Sequence, residues 1–267
     1  MSGYAESELP GTWRRNRIAF TTIVLKEITR FARIWVQTIL PSAITTGLYL
    51  LIFGSLIGRR IGPMDGFSYM DYIVPGIIML SIITNSYGNV VSSFYGTKFQ
   101  RHIEELLVAP VPNWLILAGY VAGGVARGLT VGALVTVVAS LFTTLEFAHP
   151  LLVVLVAVLT ATVFATGGFI NAIYAKSFDD ISIVPTFVLT PLTYLGGVFY
   201  SISLLAPVWQ GASLANPILY MVNAFRYGFL GVSDIPVVLA FTIILGFIVV
   251  LGTWALVLLN RGTGIKS

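Results

Sequence analysis

The sequence predicts an all-α integral membrane protein, and three observations carry that reading. Hydrophobic residues make up 57% of its 267 positions and charged residues 10%, against roughly 25% charged in an average soluble domain. The apolar residues gather in runs near the length of about 20 that crosses a hydrocarbon core. Six basic residues (Arg14, Arg15, Arg17, Lys26, Arg30 and Arg33) precede the first run, as expected of a segment held in the cytoplasm by positive charge and drawn to anionic headgroups. No basic patch interleaved with aromatics follows, which argues against nucleic acid as a partner.

The first segment, 1–33, is read as a cytoplasmic N-terminal segment. It is polar up to Arg17 and lacks the short apolar core and cleavage site of a signal peptide, so the first span is expected to persist as an anchor. Phe20, Val24, Ile28, Phe31 and Trp35 recur at steps of four and three, with Lys26, Arg30 and Arg33 opposite them. That pattern predicts an interfacial helix, apolar side in the acyl region and cations at the headgroups. A simple basic flank to the first span is the plainer alternative.

Six transmembrane helices are expected, at 34–57, 72–94, 114–142, 151–174, 181–200 and 236–259. They make 34–260 the transmembrane domain and 261–267 a cytoplasmic tail. The fifth contains Pro185 and Pro191. Proline removes a backbone donor, and a membrane tolerates this only where neighbours satisfy the freed carbonyls, so that span is expected inside the bundle. An even number of spans puts both termini on one side. That side holds eleven of the 15 Lys and Arg, including Lys98, Arg101, Lys176, Arg261 and Lys266. The other holds Arg59, Arg60 and Arg226, and the bias places both termini in the cytoplasm.

Two connecting segments look structured. In the cytoplasmic loop 97–112, Phe99, Ile103, Leu106 and Leu107 share a helical face, with Lys98, Arg101, Glu104 and Glu105 around the remainder. Arg101 and Glu105 are spaced to meet across one turn, and Pro110 and Pro112 end the helix. Its acidic pair favours a handle for another protein over a membrane contact, because anionic lipid repels it. The external segment 201–234 is too apolar for a solvated loop, and Pro207, Gly211 and Asn216-Pro217 break it. Short re-entrant helices before the last span are expected there, covered by protein or facing a wet cavity.

The search for catalytic chemistry is negative. There is no cysteine and no glycine-rich loop with the lysine and hydroxyl of a P-loop. His102 and His149 fall on opposite sides of the membrane and cannot share a metal. No base, nucleophile and orienting group come together, so neither a catalytic residue nor a metal site is expected. Arg127 lies within a span, where insertion scales put its cost at about 2.5–3.5 kcal/mol. A substrate or gating contact and a structural cation satisfied by carbonyls both fit it. Gly119, Gly123, Gly124, Gly128 and Gly132 on the same span have four-residue spacings that let another helix approach closely.

With these residues laid out, the chain strongly resembles the ABC-2 type export permeases, and among them the bacterial YadH-like group near the nodulation-factor exporter permeases. The matching features are the interfacial helix, the run RHIEELLVAPVP at 101–112, the run DDISIVPTFVLTPLTYLGGVFYSI at 179–202, and NPILYMVNAFRYGFLG at 216–231. The third, with Gly196, Gly197, Phe199 and Tyr200 near its end, is the most specific. The resemblance implies a homodimer of permeases bound to a separate ABC ATPase subunit. It implies that ATP and Mg sit on that partner and that this chain binds no cofactor. It further implies a coupling helix carrying Arg101, Glu104, Glu105, Leu106 and Leu107. Lys26, Arg30 and Arg33 would form a second ATPase contact, and Asn216, Pro217, Tyr220 and Arg226 an external re-entrant motif. Candidate lining of the translocation path is Thr84, Asn85 and Asn89 on the second span, Arg127, and Thr190 and Tyr194 on the broken fifth span. Such hydroxyl, amide and aromatic groups suit an amphipathic or lipid-like substrate, although most intramembrane Ser, Thr and Asn only bond neighbouring helices.

Two rival classes fit the residues less well. A stand-alone secondary transporter or channel typically carries intramembrane carboxylates. Here Asp71 lies at an external edge, Asp179 and Asp180 lie at a cytoplasmic edge, and no acid is mid-span. A membrane-embedded enzyme lacks its residue sets.

Overall fold

The computed structural model describes residues 12–264, the side chains at 55, 56, 59, 106 and 107 excepted. Residues 1–11 of the N-terminal segment and 265–267 of the expected tail, Lys266 included, lie outside the described residues, as do the side chains of Leu106 and Leu107. The described chain is helical, with a single isolated β-bridge between Met64 and Phe67. Among the described residues five segments are long and apolar enough to cross a membrane: Trp35–Gly54, Tyr69–Phe99, Asn113–Ala139, Pro150–Tyr174 and Val237–Arg261. The fold is that of an all-α membrane protein.

Helix α5 (Tyr69–Phe99) is the axis of the bundle. It is apolar or small on nearly every side, the composition of a helix enclosed by others, and most of its residues are buried. It packs most extensively against α7 (Asn113–Ala139) and α8 (Pro150–Tyr174), with α13 (Val237–Arg261) on the far side of α8. The approach is close because glycines line it. A Cβ on Gly168 would sit 2.5 Å from the Tyr87 carbonyl oxygen, and one on Gly124 would sit 3.0 Å from that of Ser86. The α7 glycines serve two neighbours: Gly124, Gly128 and Gly132 face α5, while Gly119 and Gly123 face Ile23 and Glu27 of α1 (Thr12–Arg33).

The buried side of α1 differs from the expected stripe. Ile23, Glu27 and Phe31 face the bundle, whereas Phe20 and Trp35 are exposed. The glycine notch on α7 selects this face: it admits the Ile23 and Glu27 stems, and polar atoms of α5 receive the Glu27 carboxylate.

The first span is broken where one continuous helix was expected. It runs as α2 (Trp35–Thr38), α3 (Leu40–Tyr49), a π-helical stretch Leu50–Ile57, and α4 (Gly58–Ile61). Pro41 has no N–H to continue the helix, and the chain kinks at Ile39. Thr38 Oγ1 donates to the carbonyls of Phe31 and Ile34 and ties the start of the span back to α1.

The expected fifth span is not among these five segments, and in the single chain it lies outside the bundle. It consists of α9 (Asp180–Val184), a π-helical turn Pro185–Leu189 and α10 (Thr190–Tyr194), followed by non-helical chain through Tyr200. Phe187 is 73% exposed in the single chain. Two side chains bond carbonyls of the segment, and the first stands in for the backbone donor that Pro185 lacks, while the second joins the Thr190 N–H on its acceptor. Asn171 Nδ2 donates to the Ile181 carbonyl, and Thr190 Oγ1 donates to that of Pro185.

The segment 201–234 folds into a 3₁₀ turn at Ile202–Leu204, α11 (Pro207–Leu214) and α12 (Pro217–Leu230). Pro207 and Pro217 begin helices, as first-turn prolines do. Gly211 does not break the segment; it lies inside α11.

Candidate functional site

On α5 every fourth residue from Ser81 is polar: Ser81, Asn85, Asn89, Ser93 and Thr97, all buried. Four-residue spacing stacks them on one helical face, giving a polar ladder through an apolar bundle. Asn85 Nδ2 donates to Ser42 Oγ of α3 at 3.1 Å, and Arg127 Nη2 of α7 donates to Asn85 Oδ1 at 3.2 Å. One turn on, Arg30 Nη2 donates to the Asn89 carbonyl at 2.9 Å and to Asn89 Oδ1 at 2.8 Å. Glu27 is 0% exposed and accepts from Asn89 Nδ2, Ser93 Oγ and Arg30. Thr97 Oγ1 lies 3.1 Å from the Tyr120 hydroxyl at the ladder's end.

Beside the ladder lies a cavity of about 410 Å³ bounded by α3, α5 and the broken segment Asp180–Tyr194. Thr84, Thr190 and Tyr194 line it together with Ser42, Thr45 and Thr193. Asn85 stands behind this wall, bonded to Ser42. Asn89 and Arg127 are not among the lining residues and belong to the ladder against α1 and α7. The described walls of the cavity carry hydroxyls and rings but no ionisable acid or base other than tyrosine.

At the end of the bundle that carries α6 (His102–Val108), Lys98 Nζ donates to the carbonyls of Ile173 and Ala175 and closes the end of α8. Arg101 interrupts the chain between α5 and α6 with φ +62°, a left-handed conformation uncommon outside glycine. Phe99 therefore belongs to α5 and is exposed, while Ile103 anchors α6 in the core. No Arg101–Glu105 ion pair forms, because Arg101 sits at the cap and not within the helix. Glu104 and Glu105 are exposed, as are Lys26 and Arg33 on α1. Arg30 instead turns inward to Asn89. A capping box precedes α9: Asp180 accepts from the Lys176 and Ser177 N–H groups, and Ser177 Oγ accepts from the Asp180 N–H. The Lys176 N–H, followed by the Ser177 hydroxyl, holds the Asp180 carboxyl below its ordinary value of 3.8.

At the opposite end, Arg226 of α12 is 0% exposed and fastens three strands of chain. Its Nη2 donates to the Gly197 carbonyl at 2.6 Å, its Nε donates to that of Tyr72 at 3.4 Å, and its guanidinium stands 4.0 Å from the centre of the Tyr72 ring. Asp234 lies 4.0 Å from Nη1, an ion-pair contact too long for a hydrogen bond, and accepts from Ser201 Oγ at 2.6 Å. Burial lowers the guanidinium's proton affinity, and Tyr72, Asp234 and Asp65 oppose that shift. Asn216 caps α12 through the Ile218 N–H while its Nδ2 donates to the Leu192 carbonyl, Pro217 opens the helix, and the Tyr220 hydroxyl donates to the Leu214 carbonyl. The four residues thus tie α12 to α11, the broken segment and the head of α5.

Glu27, Ser93 and Asn171 escaped the sequence reading. The first two had a signal: Arg30 follows Glu27 by three residues, and the i, i+4 recurrence of Ser and Asn runs through an apolar helix. His102 and His149 stay apart, His149 stacking on Tyr227. Among the described residues no group of three or more His, Asp or Glu gathers to hold a metal.

The sequence matches known proteins along most of its length. Over 250 residues, 94% of this chain and 98% of the relative, it is 59% identical to the inner membrane transport permease YadH of Escherichia coli K12. It is 26% identical over 220 residues to nodulation protein J of Rhizobium meliloti, covering 82% of this chain and 80% of the relative. Nodulation protein J of Rhizobium leguminosarum bv. trifolii matches at 26% over 239 residues, 86% of this chain and 87% of the relative. Residues 18–230 match the ABC-2 type transporter family, and the chain belongs to it.

Proposed function

We propose that the chain is the transmembrane permease subunit of an ABC exporter in a bacterial inner membrane, powered by a separate ATPase subunit that holds ATP and Mg. The observation that carries this reading is the hydroxyl-lined cavity between α3, α5 and the broken segment, in a chain of the ABC-2 type transporter family. Intramembrane hydroxyls and rings around an open volume suit the neutral parts of an amphipathic or lipid-like substrate. The names of the relatives, an inner membrane transport permease among them, support the location and the role.

In this reading segment 181–200 completes six spans and both termini face the cytoplasm, consistent with the bias of Lys and Arg. Glu104, Glu105 and the α6 positions Leu106 and Leu107 dock with Arg101 into the ATPase, with Lys26 and Arg33 of α1 beside them. The exposed side of the broken segment, with Phe187 and Val188, meets a second copy of the chain. The path then lies between the two copies, and α11 and α12 dip into the outer leaflet to gate its exit.

The test is gentle purification of the tagged chain from its native membrane with mass spectrometry of what stays bound. A stoichiometric ATPase that is lost on Glu104→Lys with Glu105→Lys supports both the assignment and the docking helix. A chain that emerges alone even after mild cross-linking removes the ABC reading and leaves a stand-alone transporter or channel.

A further inference from the structure

We propose that Arg30 and Arg127 form a binding site for one anionic phospholipid headgroup, a lipid-borne phosphodiester, at the depth of the cytoplasmic leaflet. The proposed orientation supplies only the name of the leaflet, and the site itself is independent of what drives transport.

The two guanidiniums sit on successive rungs of the α5 ladder. Arg127 bonds Asn85 and Arg30 bonds Asn89, and residues four apart on a helix are about 6 Å apart. The described surroundings supply one carboxylate for both cations, Glu27, and its ion pair is with Arg30 at 3.2 Å. Arg127 forms no ion pair. Arginine stays charged, so the cluster carries one uncompensated positive charge among apolar helices, where an unpaired charge is costly.

The hydrogen bonding is incomplete in the same place. All three bonds of Arg30 leave from Nη2. Its Nε is buried without an acceptor, and so is Nε of Arg127. Buried donors of this kind call for a partner. The partner missing here is an anion with several acceptor oxygens, since guanidinium forks fit phosphate. A single negative charge brings the cluster to neutrality, which selects a phosphodiester over a phosphate dianion.

The place selects lipid over a soluble ion. Asn89 lies ten residues, about 15 Å, from the α6 end of α5, inside the apolar bundle. The Arg30 side chain keeps 28% exposure, which leaves the cluster an opening. A phosphate on an acyl chain reaches that opening from the leaflet, and basic pockets between spans on the cytoplasmic side bind such headgroups.

The test reconstitutes the purified permease, without ATPase, in vesicles of equimolar phosphatidylglycerol and phosphatidylcholine. The protein is re-extracted and its bound lipid counted by mass spectrometry. Because these vesicles hold no transported amphiphile, retention there comes from bulk lipid. Phosphatidylglycerol is expected to be enriched on the wild type, and Arg127→Gln to lower it about fivefold, as one lost cation near a lipid surface predicts. Glu27→Gln removes the competing carboxylate and is expected to retain at least as much as the wild type. It also decides the matter if Arg127→Gln fails to fold. Retention in the mixing ratio, or equal retention by Arg127→Gln, overturns the proposal. So does a loss of lipid in Glu27→Gln, which a purely structural cluster would show.

Discussion

Asn171 Nδ2 on α8 lies 3.2 Å from the carbonyl oxygen of Ile181, the acceptor left without a backbone donor by Pro185 four residues on. A side chain on an intact helix thereby supports a broken one. Asn171→Leu keeps the volume and removes the donor, so the Ile181 carbonyl loses its partner. The expected loss is about 1 kcal/mol, read as a lower thermal midpoint in detergent, with Asn171→Gln recovering part of it. An unchanged midpoint in Asn171→Leu removes Asn171 as the support.

Gly168 and Gly246 make opposite predictions for the same substitution. A methyl on Gly168 meets the Tyr87 carbonyl oxygen at 2.5 Å, and backbone on both sides leaves no flexible atom to yield. Gly168→Ala is expected to destabilise by about 1–3 kcal/mol. Gly246, inside α13, has nothing within 4 Å, and Gly246→Ala is expected to be neutral or stabilising by up to about 1 kcal/mol through helix propensity. Thermal unfolding of the two variants in parallel checks the difference.

The chain has no cysteine, so single cysteines can report where water reaches. Under the proposed path, Thr84→Cys and Thr190→Cys react with a membrane-impermeant maleimide in open membranes. Val154→Cys, on an exposed side of α8, stays unlabelled because it faces acyl chains. Equal protection of all three means that the cavity is filled by lipid and is not a wet path.

Asp180 predicts a pH dependence confined to acid. Its carboxyl is held below 3.8 by the Lys176 N–H and the Ser177 hydroxyl. A folded value below the unfolded one means that the capping contribution is fully present above about pH 4 and fades as pH falls through the lower, folded value. Asp180→Asn is expected to lower the thermal midpoint at pH 7 and to converge with the wild type once the pH has fallen through the lowered, folded value. A gap that persists at low pH would assign the contribution to something other than the charge.

Much of the bundle was legible in the sequence because a bilayer leaves few choices. Backbone polar groups without water must bond within a helix, so apolar length alone located α5, α7, α8 and α13 to within a few residues. The α7 glycines were legible as packing positions for the same reason, since their spacing names a face. The candidate path was legible only in part. Thr84, Thr190 and Tyr194 meet around one cavity, while Asn89 and Arg127 turn away from it to α1 and α7. Composition records that a polar residue is inside a span but not which neighbour it finds.

By itself the sequence determined an all-helical membrane chain, the position of its long apolar helices, the prolines that break the fifth span, and the family. It did so because hydrophobic length and backbone chemistry are local quantities. The tertiary structure alone decided that Glu27 is drawn inside by Asn89 and Ser93, that Arg30 faces the bundle, and that Arg226 joins Tyr72, Gly197 and Asp234. Those choices depend on which helices a glycine notch lets approach, and on where each buried polar atom finds a partner across tens of residues.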